Sequence, residues 1–120
     1  MDYKFKFEKL RIWQQAMDFG ENMNVLADVF PDKEKFNLSS QLRRASDSIA
    51  LNIAEGFIFQ SNPEQLKFMG YSIRSLAEVI TCLHKARRRN YLTEIDFKKH
   101  YLLSYKLMNM MLAFVNTLKK

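Results

Sequence analysis

Apolar side chains recur along this chain at alternating spacings of three and four, the period that stacks residues on one face of an α-helix. Leu10, Trp13, Ala16 or Met17, Gly20, Met23, Ala27 and Phe30 make one such face and predict a first helix over residues 8–30. Pro31 stops it, because a proline ring clashes with the preceding turn and offers no N–H. Residues 32–36 then form a charged connection. Leu38, Leu42, Ala45, Ile49, Ile53 and Gly56 give the inward stripe of a second helix over residues 38–59, capped by Asn37 or Ser39 and ending between Gly56 and Gln60. On its outer side Arg43 and Asp47 stand four apart, the spacing of a surface ion pair.

Ser61, Asn62, Pro63 and Glu64 spell a helix start: a capping side chain, an early proline and an acid three residues on. The third helix, residues 62–89, carries two seams. Leu66, Met69, Ile73, Leu76, Ile80 and Leu83 repeat as in a coiled coil. Phe68, Ser72, Ser75, Val79, Cys82 and Ala86 are mostly small and permit a close neighbour. The helix ends at Arg89-Asn90, where Asn accepts a left-handed cap. Thr93, with Asp96 three residues on, opens a fourth helix over residues 94–118. One of its stripes runs Phe97, Tyr101, Ser104 or Tyr105, Met108, Leu112, Val115 and Leu118, and another runs Leu103, Leu107, Met110 and Phe114. A bundle core uses one stripe per helix. The surplus is either a wide core-facing stripe or a subunit interface, with the fourth helix and the small-residue seam of the third as its candidate surfaces.

Four helices of about 25 residues on short connections predict an all-α fold, an antiparallel up-down-up-down four-helix bundle about 35 Å long. Residues 1–120 make a single domain in this reading. Three glycines and two prolines in 120 residues are too few for the turns of a sandwich or barrel. Nineteen Lys and Arg against thirteen Asp and Glu leave a formal charge of +6, which favours anionic partners and also serves solubility. A lone cysteine, Cys82, excludes an internal disulfide and fits a reducing compartment. The start of the sequence lacks the apolar core of a signal peptide, and no window is apolar enough to span a membrane, so the expected location is cytoplasmic.

Catalytic chemistry has little to stand on. His84 and His100 fall on different helices, and no His, Cys or carboxylate spacing fits a metal. Cys82 and His84, two apart on a helix, point in different directions, so Cys82 reads as a small packed hydrophobe. The glycines stand alone at 20, 56 and 70 and build no phosphate loop. The expectation is a protein that is not an enzyme and takes no cofactor. Ser48, Asn52 and Glu55 form a polar stripe on the second helix, read first as structural hydrogen bonding. Basic residues cluster more suggestively. Arg43 and Arg44 lie near the start of the second helix, Lys85 with Arg87, Arg88 and Arg89 ends the third, and Lys98 and Lys99 begin the fourth. An up-down bundle brings all three groups to one end, with Tyr91 between the last two. Arg43, Arg44, Arg87, Arg88, Arg89, Lys98 and Lys99 are therefore the candidate phosphate-binding residues for RNA or DNA. The alternative is a protein–protein scaffold whose charge serves an acidic partner or solubility alone.

The run through Gln41, Arg43, Arg44, Ala45, Ser48, Ile49, Asn52, Ile53, Ala54, Glu55 and Gly56 resembles the signature of one family. It is the family of four-helix bundle proteins encoded within intervening sequences of bacterial 23S ribosomal RNA genes. Leu10, Trp13 and Ala16, Phe30-Pro31 with Glu34, and Ser75-Leu76 with Glu78 extend the likeness over nearly the whole chain. Two departures stand out: Ile58-Phe59 where the family usually has Gly-Arg, and Arg74 where it often has Gly. The resemblance implies a ring-like homo-oligomer, with pentamers among relatives. The chain is also similar to the accessory bundle proteins of diversity-generating retroelements, which implies a nucleic-acid enzyme such as a reverse transcriptase as a further partner. It implies no catalytic residue.

Overall fold

The periodic segments fold as helices. The computed structural model describes residues 4–58 and 61–119. It contains α1 (Arg11–Asp28), α2 (Leu38–Gly56), α3 (Asn62–Arg88) and α4 (Glu94–Leu118), with 3-10 turns at Lys6–Lys9 and Asp32–Glu34 and no strand among the described residues. α1 starts three residues later than its apolar face predicts. Leu10 is extended, and the preceding 3-10 turn lets the Phe7 ring meet Trp13 edge-on at 5.3 Å. α2 ends at Gly56, at the early limit of the expected range, with Phe57 and Ile58 in a turn; Phe59 and Gln60 fall outside the described residues.

The helix ends show which capping chemistry wins. Ser61 accepts from the Glu64 N–H at 3.4 Å, and Thr93 accepts from the Asp96 N–H at 3.1 Å. Asn90 adopts φ 62, and beyond it the Tyr91 N–H reaches the Ala86 carbonyl at 2.9 Å, the Schellman closure expected of Asn at this place. At the start of α2 the expectation fails. Neither Asn37 nor Ser39 caps the helix: Ser39 Oγ donates to the Ala27 carbonyl on α1, and the Leu38 N–H is met by the carboxylate of Glu34.

Polar pairs fix the helices as antiparallel neighbours. Ser39 with Ala27 and Asp47 with Asn24 join α2 to α1, Ser72 with Ile49 and Ser48 with Ser75 join α3 to α2, and Asn62 with the Leu118 carbonyl joins α3 to α4. The α2–α3 interface is the most extensive, and α1 touches α4 only lightly. The small seam of α3 explains the difference. Ser72, Ser75, Val79, Cys82 and Ala86 are all buried, and Ser72 Oγ donates to the Ile49 carbonyl at 2.8 Å. This seam was a candidate subunit interface; it faces α2 within the same chain instead, because short side chains are what allow that close approach. The polar stripe of α2 is likewise partly structural. Ser48 shares a 2.6 Å bond with Ser75, and Asn52 Nδ2 donates to the Ser48 carbonyl, while Glu55 is exposed.

α4 buries Phe97 and Ser104 from one predicted stripe, Leu107 from the other, and Met111, which neither stripe contained. Leu107 is only 4 % exposed and belongs to the core, so it is not available to a partner. Ile95, Leu102, Tyr105 and Leu112 turn outward at spacings of seven, three and seven, which leaves an apolar stripe on the outer face.

Two glycines on the α2–α3 pair separate sterics from backbone entropy. A Cβ on Gly56 would sit 2.8 Å from Phe68 Cβ, whereas one on Gly70 would meet nothing within 4 Å. In urea titrations Gly56→Ala loses about 1–3 kcal/mol through overpacking, and Gly70→Ala gains about 0.5–1 kcal/mol through reduced chain entropy in a helix interior.

Candidate nucleic-acid interface

Because the helices alternate in direction, the α1–α2 connection and the α3–α4 connection lie at one end of the bundle. A single carboxylate joins them. Glu34, buried in the first connection, accepts from Tyr91 Oη at 2.7 Å and Arg89 Nη1 at 2.9 Å through one oxygen. Its other oxygen takes Asn37 Nδ2 at 3.1 Å and the Leu38 N–H at 3.4 Å. The Tyr91 ring also packs on Phe30 at 5.7 Å, so the second connection is held by a polar and an apolar contact together.

The bond from Tyr91 is the chief cause that holds the Glu34 carboxyl below its ordinary 4.5, against the opposing effect of burial. The Leu38 N–H, the Arg89 charge and Asn37 add to the lowering. Tyr91 is raised above its ordinary 10.0, first by the same hydrogen bond.

The internal bonds divide the candidate basic residues into two groups. Arg89 is committed to Glu34. Arg87 pairs with Glu94 at 2.7 Å, and its guanidinium lies 4.5 Å from the centre of the Phe97 ring. Arg43 was expected to pair with Asp47; it reaches Asp28 on α1 instead and also donates to the Asn24 carbonyl at 3.2 Å. Asp47 accepts from Asn24. The i, i+4 geometry loses here because α1 offers a carboxylate and a carbonyl together. Arg44, Arg88, Lys98 and Lys99 are exposed and make no ion pair with any described residue.

Lys33 and Lys35 join this end from the α1–α2 connection, and both are exposed and unpaired among the described residues. Their place follows from the alternation of the helices, the same signal that grouped the other clusters. Two open grooves flank the start of α2. One, about 530 Å³, lies between the connection and α2 and is lined by Phe30, Lys35, Phe36, Ser40, Arg43 and Arg44 among others. The other, about 480 Å³, runs between α2 and α3 past Gln41, Arg44, Ser48, Thr81 and Lys85.

The remaining reactive groups are occupied with packing. Cys82 is buried, and burial pushes its thiol above 9.0, away from the thiolate that nucleophilic chemistry needs. His84 packs against Phe97 at 5.1 Å. Burial lowers the His100 imidazole. No group of three His, Cys, Asp or Glu among the described residues is placed to hold a metal, and no helix among them is long and apolar enough to cross a membrane.

The sign of the Glu34 effect is set by its lowered folded-state pKa. Its contribution to stability is present above the ordinary carboxylate range and is lost as pH falls through the depressed value. Thermal melts from pH 7 down to pH 3 should therefore show a falling midpoint. In Glu34→Gln the midpoint is lower at pH 7 and the acid slope is flatter, because the titrating group is gone.

A family model described as 23S rRNA-intervening sequence protein matches residues 8–113. The fold is similar to that of a solved structure, a protein of unknown function from the S23 ribosomal protein family of Bacteroides thetaiotaomicron. The TM-score is 0.80 at 19% identity, over 88% of this chain and 95% of that chain. At that identity the likeness speaks for the fold alone. No curated protein matches the chain.

Proposed function

The chain belongs to the family of 23S rRNA-intervening sequence proteins, and from that premise and its basic end we propose a non-catalytic, oligomeric module that binds RNA or DNA through backbone phosphates. The observation that carries this reading is the set of unpaired cations at one bundle end: Arg44, Arg88, Lys98 and Lys99, with Lys33 and Lys35 beside them. Like charges gathered on one surface repel each other, and an anionic polymer relieves that repulsion while releasing its own counterions. Arg suits the task because its planar fork grips phosphate oxygens in pairs.

Self-association is part of the proposal. The outward stripe of Ile95, Leu102, Tyr105 and Leu112 is apolar, lies on the helix that packs least on its neighbours, and favours a second copy as its cover. Repetition of the basic end around an assembly would let weak phosphate contacts add through avidity. A nucleic-acid enzyme as a third component is compatible with such a module.

Two measurements test the proposal. In fluorescence anisotropy with labelled RNA and duplex DNA, affinity falls steeply with salt. The combined change Arg88→Gln, Lys98→Gln, Lys99→Gln flattens the log–log slope by about one unit per lost phosphate contact without lowering the melting temperature. If the wild type binds neither polymer at low salt, the scaffold reading replaces this one. By light scattering, the wild type is larger than the 14.3 kDa monomer, and Leu102→Glu with Leu112→Glu returns it to monomer size. A monomeric wild type at high concentration refutes the assembly.

A further inference from the structure

Phe36 is the most exposed large apolar side chain among the described residues, at 90 %. It stands at the crest of the α1–α2 connection on a backbone pinned from both sides. The Lys35 N–H donates to the Asp32 carbonyl at 3.0 Å, and the Asn37 N–H to the Glu34 carbonyl at 2.9 Å. The next side chain, Asn37, is tied to the buried Glu34 carboxylate. The backbone that carries the ring is thus held in place, and the ring points to solvent although the apolar Phe30 and Pro31 lie in the same groove. An aromatic face held out in this way is a platform for another flat ring. Lys35 Nζ lies 5.5 Å from its centre.

The surroundings suit a nucleotide strand. Phe36 and Lys35 line the groove beside α2, and Arg44 lines both that groove and the one between α2 and α3 that Lys85 also lines. Arg44 thus borders both grooves, which together form a track flanking the first half of α2. Each has the volume of a small-ligand site. Of the carboxylates on the track, Asp28 is neutralised by Arg43, while Asp32 and Glu78 remain. The excess of positive charge on the track is therefore small, and phosphate attraction alone would hold a strand there only loosely. A stacked base supplies what charge does not.

Resting on the phosphate-binding reading above, we infer that this track takes single-stranded RNA, with an unpaired base stacked on the Phe36 ring and adjoining phosphates held by Lys35, Arg44 and Lys85. A duplex cannot use the platform, because its base faces are already covered by their neighbours.

The test compares a labelled oligouridylate of about ten nucleotides with an RNA duplex of equal length, by anisotropy at fixed low salt. Phe36→Ala should weaken single-strand binding on the order of ten-fold and leave duplex binding unchanged, with an unaltered melting temperature. Phe36→Trp should keep the affinity, and its introduced indole should be quenched by the strand. The native Trp13, at the opposite bundle end, should not respond. Equal single-strand affinity of wild type and Phe36→Ala overturns the inference and leaves the phosphate-binding reading standing. Loss of strand and duplex binding alike in Phe36→Ala also overturns it. Absence of any RNA binding by the wild type removes the reading on which it rests.

Discussion

The Glu34 carboxylate is the constraint on which the basic end depends. A charged group taken out of water is tolerated when its oxygens are hydrogen-bonded and a cation stands close. Here Tyr91, Arg89, Asn37 and the first N–H of α2 meet both conditions. One group thereby does three things. It caps α2 in place of the residues at the helix start, fixes the turn that carries Lys33, Lys35 and Phe36, and ties that turn to the one between α3 and α4. Because α1 and α4 pack only lightly, this cross-link stands in for helix contacts that are thin elsewhere.

The same end shows how internal pairing decides which charges face outward. Arg43, Arg87 and Arg89 each find an acid within the chain, and Arg87 adds an aromatic face. Their main effect is to hold α1 to α2, α3 to the start of α4, and one connection to the other. The two exposed pairs, Arg43 with Asp28 and Arg87 with Glu94, contribute little stability each, but all three offset guanidinium charge that a partner would otherwise meet. What remains is Arg44, Arg88, Lys98, Lys99, Lys33 and Lys35, spread over α2, the end of α3, the start of α4 and the α1–α2 connection. A polyanion bridging them would touch every helix except α1.

Much of this was legible in the sequence, and the failures have physical reasons. Helix positions followed from the three-four period, and α3 and α4 began where Ser61 and Thr93 placed them. The convergence of the basic clusters followed from the alternation of the helices. Pairing did not follow, because Arg43 and Asp47 satisfy the spacing rule, and only the packing of α1 shows that Asp28 and Asn24 are better partners. The small seam of α3 was ambiguous for a similar reason: small residues announce a close neighbour without saying whether it is α2 or another copy. Glu34 was visible as a match to the family pattern, but its burial depends on a turn some 55 residues away in the chain. Phe36 sits inside a charged connection, where spacing carries no information about exposure.

The proposed contact places nucleic acid at the end where Glu34 joins the two connections. Lysine footprinting tests it most directly: acetylation in the presence and absence of RNA, read by mass spectrometry of peptides. RNA should protect Lys33, Lys35, Lys98 and Lys99, with Lys67 and Lys119 at the opposite end equally reactive in both samples. Protection of Lys67 and Lys119 with Lys98 and Lys99 unchanged would contradict it.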